Sequence, residues 1–443
     1  MTNTGKIKYF LGFFLALGLL WSFLLPPFQG PDEAFHFSQI KLWEFSLLNG
    51  FQDSSEATTL CLEDLHLLSG HYRSNDVRAN PLSSFAAPVE LRHHSPDYFY
   101  DPSCKIFAKT PLYYILSVPL VLIPGFNVDA QFYVVRLFSL FCVVFSLFCI
   151  FKIASLLFKH SPQATLLPVL IALTPTFFIV NVSISYDSLI NLLFIFCFWV
   201  SFSFILREGP FSSLRRFLAI AILVSLAGCF IKITGVFLPI FFALAFLFSK
   251  RVKFLYSFLF LLTFSSLALG KLLSILSLPS LTYLKLFSDP SYLYTFFIER
   301  WVLLFKGFWG GSGAGWIDVY IPPLFVYFFA IFTFIGLGMS VWKILKYKHD
   351  ALILVYCFLT ILFFELGSLI YNALYVSDLL QFGALQGRYY LVLLLPLFIL
   401  ILEGWRFLIP FRLNRFFYVS AILIFMFIHF FYLGSVFVPR FYF

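Results

Sequence analysis

The feature that most constrains this chain is a succession of apolar runs, each close to bilayer-crossing length and most ended by a short basic cluster. A helical span needs about 20 mostly apolar residues. Such runs fall at roughly 9–25, 130–151, 164–181, 187–206, 216–231, 236–249, 254–276, 320–342, 351–371, 389–408 and 415–433. Between them stand Lys6/Lys8, Lys152/Lys159, Arg207/Arg215/Arg216, Lys250/Arg251/Lys253, Lys343/Lys346/Lys348 and Arg406/Arg412/Arg415. With 61% hydrophobic and only 12% charged residues, the chain has apolar surface that water cannot accommodate; soluble chains carry about a quarter charged residues. If the runs alternate as about eleven spans, every basic cluster falls on one side, which the retention of Lys and Arg marks as cytoplasmic. The expected fold is therefore all-α: a polytopic transmembrane helix bundle, N-terminus in and C-terminus out, forming a single membrane domain over 1–443.

The same charge rule settles two awkward stretches. Residues 111–124 are apolar but short, and Pro111 and Pro124-Gly125 bound them. Counting them as a span would invert the later basic clusters, so they are expected along the outer interface. Residues 216–249 have basic flanks at both ends and must cross twice, with the break at Lys232-Ile233-Thr234-Gly235. Lys232 is then an outward-facing residue at a tight hairpin. The outer surface consists mainly of 26–129, a cap of interfacial helices inserted after the first span, and a second large loop at 277–319. The start, with Lys6 and Lys8 before an apolar run and Pro26-Pro27 after it, reads as an uncleaved signal anchor.

The net charge of +9 does not mark a nucleic-acid binder, because the basic residues are scattered between apolar runs rather than gathered in one patch. Five of the seven cysteines sit in apolar runs, whereas Cys61 and Cys104 share the first outer segment, as a disulfide or as free thiols. His93-His94, with His66 and His71, is too irregular for a zinc signature.

Chemistry concentrates at the outer ends of the spans. Pro31-Asp32-Glu33 followed by Phe35, Phe37, Ile40 and Trp43 starts a helix on which Asp32, Glu33 and His36 share a face. Two uses compete there: capping the helix and complementing its dipole, or general-base and metal chemistry. Arg136, Lys232, Lys271, Glu365 and Arg388 lie in the outer third of their spans. Ionisable residues there are functional candidates, with snorkelling the competing account for the cations. Four cations at one depth suit an anionic group such as a lipid phosphate. Ser185-Tyr186-Asp187 adds a carboxylate in a short outer turn, and Gln386-Gly387-Arg388-Tyr389 enters its span through a glycine that admits close backbone approach. The Gly-rich 309–316 stretch lacks the Lys-Ser/Thr of a phosphate-binding loop.

Four motifs in order carry a resemblance: Pro27-x-x-x-Pro31-Asp32-Glu33-x-x-His36-Phe37, Ser185-Tyr186-Asp187-x-x-x-Asn191, Gly315-Trp316-Ile317-Asp318-x-x-x-Pro322 and Gln386-Gly387-Arg388-Tyr389. Together they resemble a bacterial domain-of-unknown-function family of polytopic membrane proteins, itself similar to the GT-C glycosyltransferases that use polyprenyl-phosphate-linked sugars. The resemblance implies a GT-C-like bundle in a bacterial cytoplasmic membrane, with its active site outside and its donor a polyprenyl-phosphate-linked sugar. The acceptor would be a cell-envelope glycan, lipid or protein. It implies Asp32 as inverting base with Glu33 as rival and His36 in support, and Asp187 as second acidic residue. Lys232 and Arg388 would hold the carrier phosphate, with Arg136, Gln386 and Tyr389 also at the substrate. A divalent cation, Mg or Mn, is the cofactor such enzymes admit, although no second acidic residue accompanies Asp187. A transporter or flippase of lipid-linked sugars, or a non-catalytic carrier-binding partner, stands as the rival function.

Overall fold

The computed structural model describes residues 3–27, 30, 32–49, 111–159, 162–249, 300–310, 321–347, 351–375 and 387–439. Every regular element among them is helical. In chain order these are α1 (Asn3–Leu24), α2 (Glu33–Asn49), α3 (Leu112–Val121), α4 (Val128–Phe158), α5 (Gln163–Ala172), α6 (Pro175–Val182), α7 (Tyr186–Leu206), α8 (Leu214–Ile231), α9 (Phe237–Phe248), α10 (Arg300–Trp309), α11 (Pro323–Lys346), α12 (Leu352–Tyr375), α13 (Leu394–Leu408) and α14 (Asn414–Phe431). A tight 3-10 turn, Ile233–Val236, joins α8 to α9, and a 3-10 stretch, Gly387–Leu393, leads into α13.

Among the described residues eight helical segments are long and apolar enough to cross a membrane, and α5 with α6 forms a bent pair at 59° that makes a ninth if taken as one span. The expected run at 164–181 is that bent pair. Its break has a local cause: Pro175 begins α6, and a proline biases the residue before it away from helix. The expected span at 236–249 is a shorter apolar helix with its 3-10 entry, Ile233–Phe248. The expected span at 254–276 and residue Lys271 lie outside the described residues, as do most of the cap and of the 277–319 loop, Cys61, Cys104, His66, His71, His93, His94 and Gln386. Residues 111–124 hold only the ten-residue α3, about 15 Å long at 1.5 Å per residue, which is half a bilayer core.

Two helices are buried over most of their length and occupy the middle of the bundle. In α13 each residue from Leu394 to Gly404 is buried except Leu397, and α7 is nearly as enclosed. A helix without a polar face must be surrounded by others or by lipid. Close packing of α11 on α13 depends on small residues: a Cβ on Gly404 would stand 1.8 Å from the Gly336 carbonyl oxygen. Ser340 Oγ reinforces this seam by donating to the Leu400 carbonyl. Outer positions such as Phe141, Leu223, Leu324, Phe334 and Phe416 are exposed, as lipid-facing residues of a membrane bundle are. At the seam of α1, α14 and the bend before α6, Trp21 Nε1 donates to His429 Nε2 at 3.1 Å, and His429 Nδ1 meets the Leu173 carbonyl at 3.1 Å. That carbonyl belongs to the break, so the histidine satisfies a group the bend leaves without its helical partner.

Candidate functional site

The site forms where the N-terminal ends of the two central helices meet the turn that follows α1. Ser185 caps α7: its Oγ accepts the Asp187 N–H at 3.1 Å. Because the serine performs the capping, the Asp187 carboxylate is left to face a cation. Lys232 supplies it. The residue ends α8 in an extended conformation, φ −155° and ψ 152°, which turns its side chain back across the bundle. Its ammonium donates to Asp187 Oδ1 and lies 4.7 Å and 4.3 Å from the ring centres of Tyr186 and Tyr389. The tightness of the hairpin sets this direction, since a Cβ on Gly235 would lie 2.1 Å from the Gly228 carbonyl oxygen. The hairpin falls where it was expected, and the Lys232 side chain at its entry is buried.

Arg388 approaches the same carboxylate from the 3-10 stretch before α13. Its Nε stands 3.9 Å from Asp187 Oδ2, and its Nη2 donates to Asp32 Oδ2. Gly387 lets it reach that position; a Cβ there would lie 2.2 Å from the backbone nitrogen of Phe308. The guanidinium is buried, yet Nε and Nη1 have no hydrogen-bond partner among the described residues. Buried donors are rarely left so.

Asp32 and Glu33, adjacent in sequence, have separate roles. Asp32 precedes α2 with φ +53°, in the left-handed region that Asp tolerates better than most residues. Its side chain keeps 29% exposure beside Arg388 at 4%. Glu33 opens α2 and turns the other way, into a fully buried pair with Arg136. Arg136 Nε donates to Oε1 at 2.8 Å and Nη2 to Oε2 at 2.6 Å. Glu33 also accepts the Ile184 N–H at 2.9 Å and the Gly30 N–H at 3.3 Å. The remaining Arg136 donors go to the carbonyls of Ser22, Leu25 and Pro26, so all five guanidinium N–H groups are used. Those carbonyls lie at the C-terminal end of α1, where the last turn leaves acceptors without helical partners. Arg136 is therefore a cap and a latch, which removes it from the cations available to a bound anion. Glu33 is equally committed, and the expected single face of Asp32, Glu33 and His36 is divided.

His36 stays with Asp32. One ring nitrogen meets Tyr114 Oη at 2.9 Å and the other meets Ser185 Oγ at 3.3 Å, so a neutral ring donates with one and accepts with the other. Burial lowers its pKa from 6.5 to about 4, outweighing the opposing pull of Asp32 and Asp187, while Arg388 and Lys232 add to the lowering. His36 is thus uncharged at neutral pH. Tyr114, on α3, carried no signal in the sequence, since tyrosines are frequent in this chain; only the packing of α3 beside α2 singles it out.

The structure brings together Asp32, His36, Asp187, Lys232, Arg388 and Tyr389, with Ser185, Tyr186 and Tyr114 around them. It sends Glu33 and Arg136 elsewhere. The charges of the group cancel: two carboxylates, two cations and a neutral imidazole. Among the described residues no three His, Cys, Asp or Glu side chains form a metal-binding group. Asp32 and Asp187 each face a cation and both His36 nitrogens are engaged, a donor set that does not fit a divalent ion.

A family model described as "Predicted membrane protein (DUF2142)" matches residues 14–401, a stretch that contains every residue of the site. No curated protein and no solved structure matches the chain.

Proposed function

The chain belongs to this DUF2142 family of membrane proteins, and for it we propose transfer of a sugar from a polyprenyl-phosphate carrier to an acceptor hydroxyl at the outer face of a bacterial cytoplasmic membrane. One observation carries the reading: a buried guanidinium, two of whose nitrogens have no hydrogen-bond partner among the described residues, touches a partly exposed carboxylate at one end of an apolar bundle. A glycosyl phosphate needs a cation at its phosphate and a base at the attacking hydroxyl, close enough to act on one bond.

In this reaction Arg388 holds the carrier phosphate, with Lys232 behind it holding Asp187 and sustaining the positive field. Asp32 accepts the proton of the acceptor hydroxyl as its oxygen attacks the anomeric carbon. The bond from that carbon to the phosphate oxygen breaks, and the electron pair leaves with the carrier phosphate. The anomeric configuration inverts. Donors placed where charge develops contribute through electrostatic preorganisation, and holding both ends of the donor contributes through orientation. Between Asp32 and Glu33 the geometry supports Asp32 as base, because Glu33 is spent on Arg136. The division of labour between Lys232 and Arg388 also sharpens: Lys232 is enclosed by Asp187 and two tyrosine rings, so Arg388 makes the direct phosphate contact.

The test is transfer of radiolabelled hexose from a panel of polyprenyl-phosphate hexoses by membranes containing the protein or its Asp32→Asn variant. Transfer by the parent, with loss of about a hundredfold or more in the variant as expected for a general base, supports the assignment. Full transfer by Asp32→Asn removes Asp32 from the reaction. Movement of labelled carrier across vesicle bilayers without any transfer replaces the transferase with a flippase.

A further inference from the structure

The Asp32–Arg388 pair has a second consequence, and it rests on the glycosyl-phosphate reading only for the origin of the phosphate. The geometry points to Arg388 as an oxoanion receptor whose resting occupant is the protein's own Asp32, so that phosphate binding and release of the base are one exchange.

The guanidinium offers two edges, Nε with Nη2 and Nη1 with Nη2, each able to grip two oxygens of an anion. Asp32 takes hold only at Nη2. Nε and Nη1 have no hydrogen-bond partner among the described residues in a residue only 5% exposed, where an unmet donor carries its full desolvation cost. A phosphate presents oxygens in three dimensions and can satisfy an edge that a carboxylate at one nitrogen does not. The pair is also asymmetric in freedom. Arg388 is held by the close fit of Gly387 on the Phe308 backbone, with Asp187 Oδ2 3.9 Å from its Nε. Asp32 is the more exposed partner, at 29% against 4%, and so the freer of the two to move.

Charge balance favours the exchange. With Asp32 engaged, the group is neutral. When Asp32 leaves, Lys232 and Arg388 face Asp187 alone, and one positive charge awaits an anion. A phosphodiester linking a sugar to a lipid carrier bears one negative charge, the same as the carboxylate it displaces. The freed Asp32 lies beside the bound donor with its oxygens available to the acceptor hydroxyl. The base is therefore held on Arg388 until the phosphate is in place.

Binding of farnesyl phosphate to the purified full-length protein in nanodiscs tests this, with farnesol as the control lacking phosphate and inorganic phosphate as competitor. If Asp32 occupies Arg388 about nine-tenths of the time, its removal tightens the apparent affinity about tenfold. Asp32→Asn and Asp32→Ser should both bind farnesyl phosphate about tenfold more tightly than the parent, and Arg388→Gln should abolish binding with or without the Asp32 change. Competition by inorganic phosphate in Asp32→Asn marks the receptor as one for phosphate from either source; its absence marks a lipid-borne headgroup. Unchanged or weaker binding in both Asp32 variants overturns the exchange, as does tightening that persists in Arg388→Gln, or absence of farnesyl phosphate binding throughout. The transfer assay separates the two claims. Tighter binding with full transfer keeps the exchange and removes the base, whereas unaltered binding with lost transfer does the reverse.

Discussion

Replacing Glu33 by glutamine tests whether the buried Glu33–Arg136 pair is a structural latch. Both side chains are wholly excluded from solvent, so the substitution leaves a guanidinium charge in a low-dielectric interior. The glutamine oxygen can still accept from Ile184 N–H and one Arg136 N–H. Its amide nitrogen, however, faces the donors that Oε2 now receives, Arg136 Nη2 at 2.6 Å and Gly30 N at 3.3 Å. Breaking a buried ion pair by removing one partner costs about 3–5 kcal/mol, and we expect that loss. Arg136→Met should cost more than Glu33→Gln. It strands the Glu33 carboxylate and also leaves the carbonyls of Ser22, Leu25 and Pro26 without their donor, at about 1–3 kcal/mol for each buried orphan. For the same reason a Glu33→Leu/Arg136→Met double variant should not regain parental stability, although apolar replacement of a simple buried pair is often neutral or stabilising. Equilibrium unfolding of purified protein in mixed dodecyl sulfate–maltoside micelles, followed by circular dichroism, reads each free energy. A loss below about 1 kcal/mol for Glu33→Gln, within the range of ordinary surface substitutions and their error, refutes the latch; so does an Arg136→Met variant milder than Glu33→Gln.

Three other perturbations follow from the same contacts. Because the folded pKa of His36 is about 4 and the unfolded value about 6.5, the unfolded state binds more protons between those values. Stability from this group is fully present above pH 6.5 and declines as pH falls toward 4, by up to about 3 kcal/mol; His36→Gln should flatten that part of the unfolding profile, and an unaltered acid limb would contradict it. Gly404→Ala should destabilise by about 1–3 kcal/mol, since its Cβ would meet the Gly336 carbonyl oxygen at 1.8 Å; Gly12→Ala, with nothing within 4 Å, is the control, and equal thermal shifts would disprove the seam. Trp21→Phe removes the donor to His429 Nε2 and should cost about 1–3 kcal/mol, read as a lower thermal midpoint; a value equal to the parent's would show that the contact does not hold the bend.

Much of the fold was legible in the sequence because lipid imposes a simple rule. A segment that crosses must be apolar and helical, since no water is present to satisfy its backbone. Hence eight long helical segments coincide with apolar runs, and the turn at Lys232–Gly235 lies where basic flanks required a double crossing. The bend before Pro175 was less legible: proline marks a break, but the 59° angle depends on how α5 and α6 pack on their neighbours. The candidate site was legible as a set of residue types and less so as a set of partners. Asp32, His36, Asp187, Lys232 and Arg388 stood out because charge and histidine are rare beside apolar runs. Tyr114 did not, because aromatic residues are everywhere in this chain.

What the sequence by itself determined was a membrane bundle and the positions along it where ionisable groups would need an explanation. Local spacing treated Asp32 and Glu33 as near-equivalent neighbours on one helix face. Tertiary structure alone parted them, sending Glu33 to Arg136, 103 residues away, and Asp32 to Arg388, 356 residues away. The reason is physical. A buried charge is tolerated only with a partner at hydrogen-bond distance, and which partner arrives is decided by how helices pack, a property that no stretch of sequence contains. Glu33 is fully buried and completely paired, whereas Asp32 is partly exposed beside a guanidinium with two nitrogens that lack a hydrogen-bond partner among the described residues.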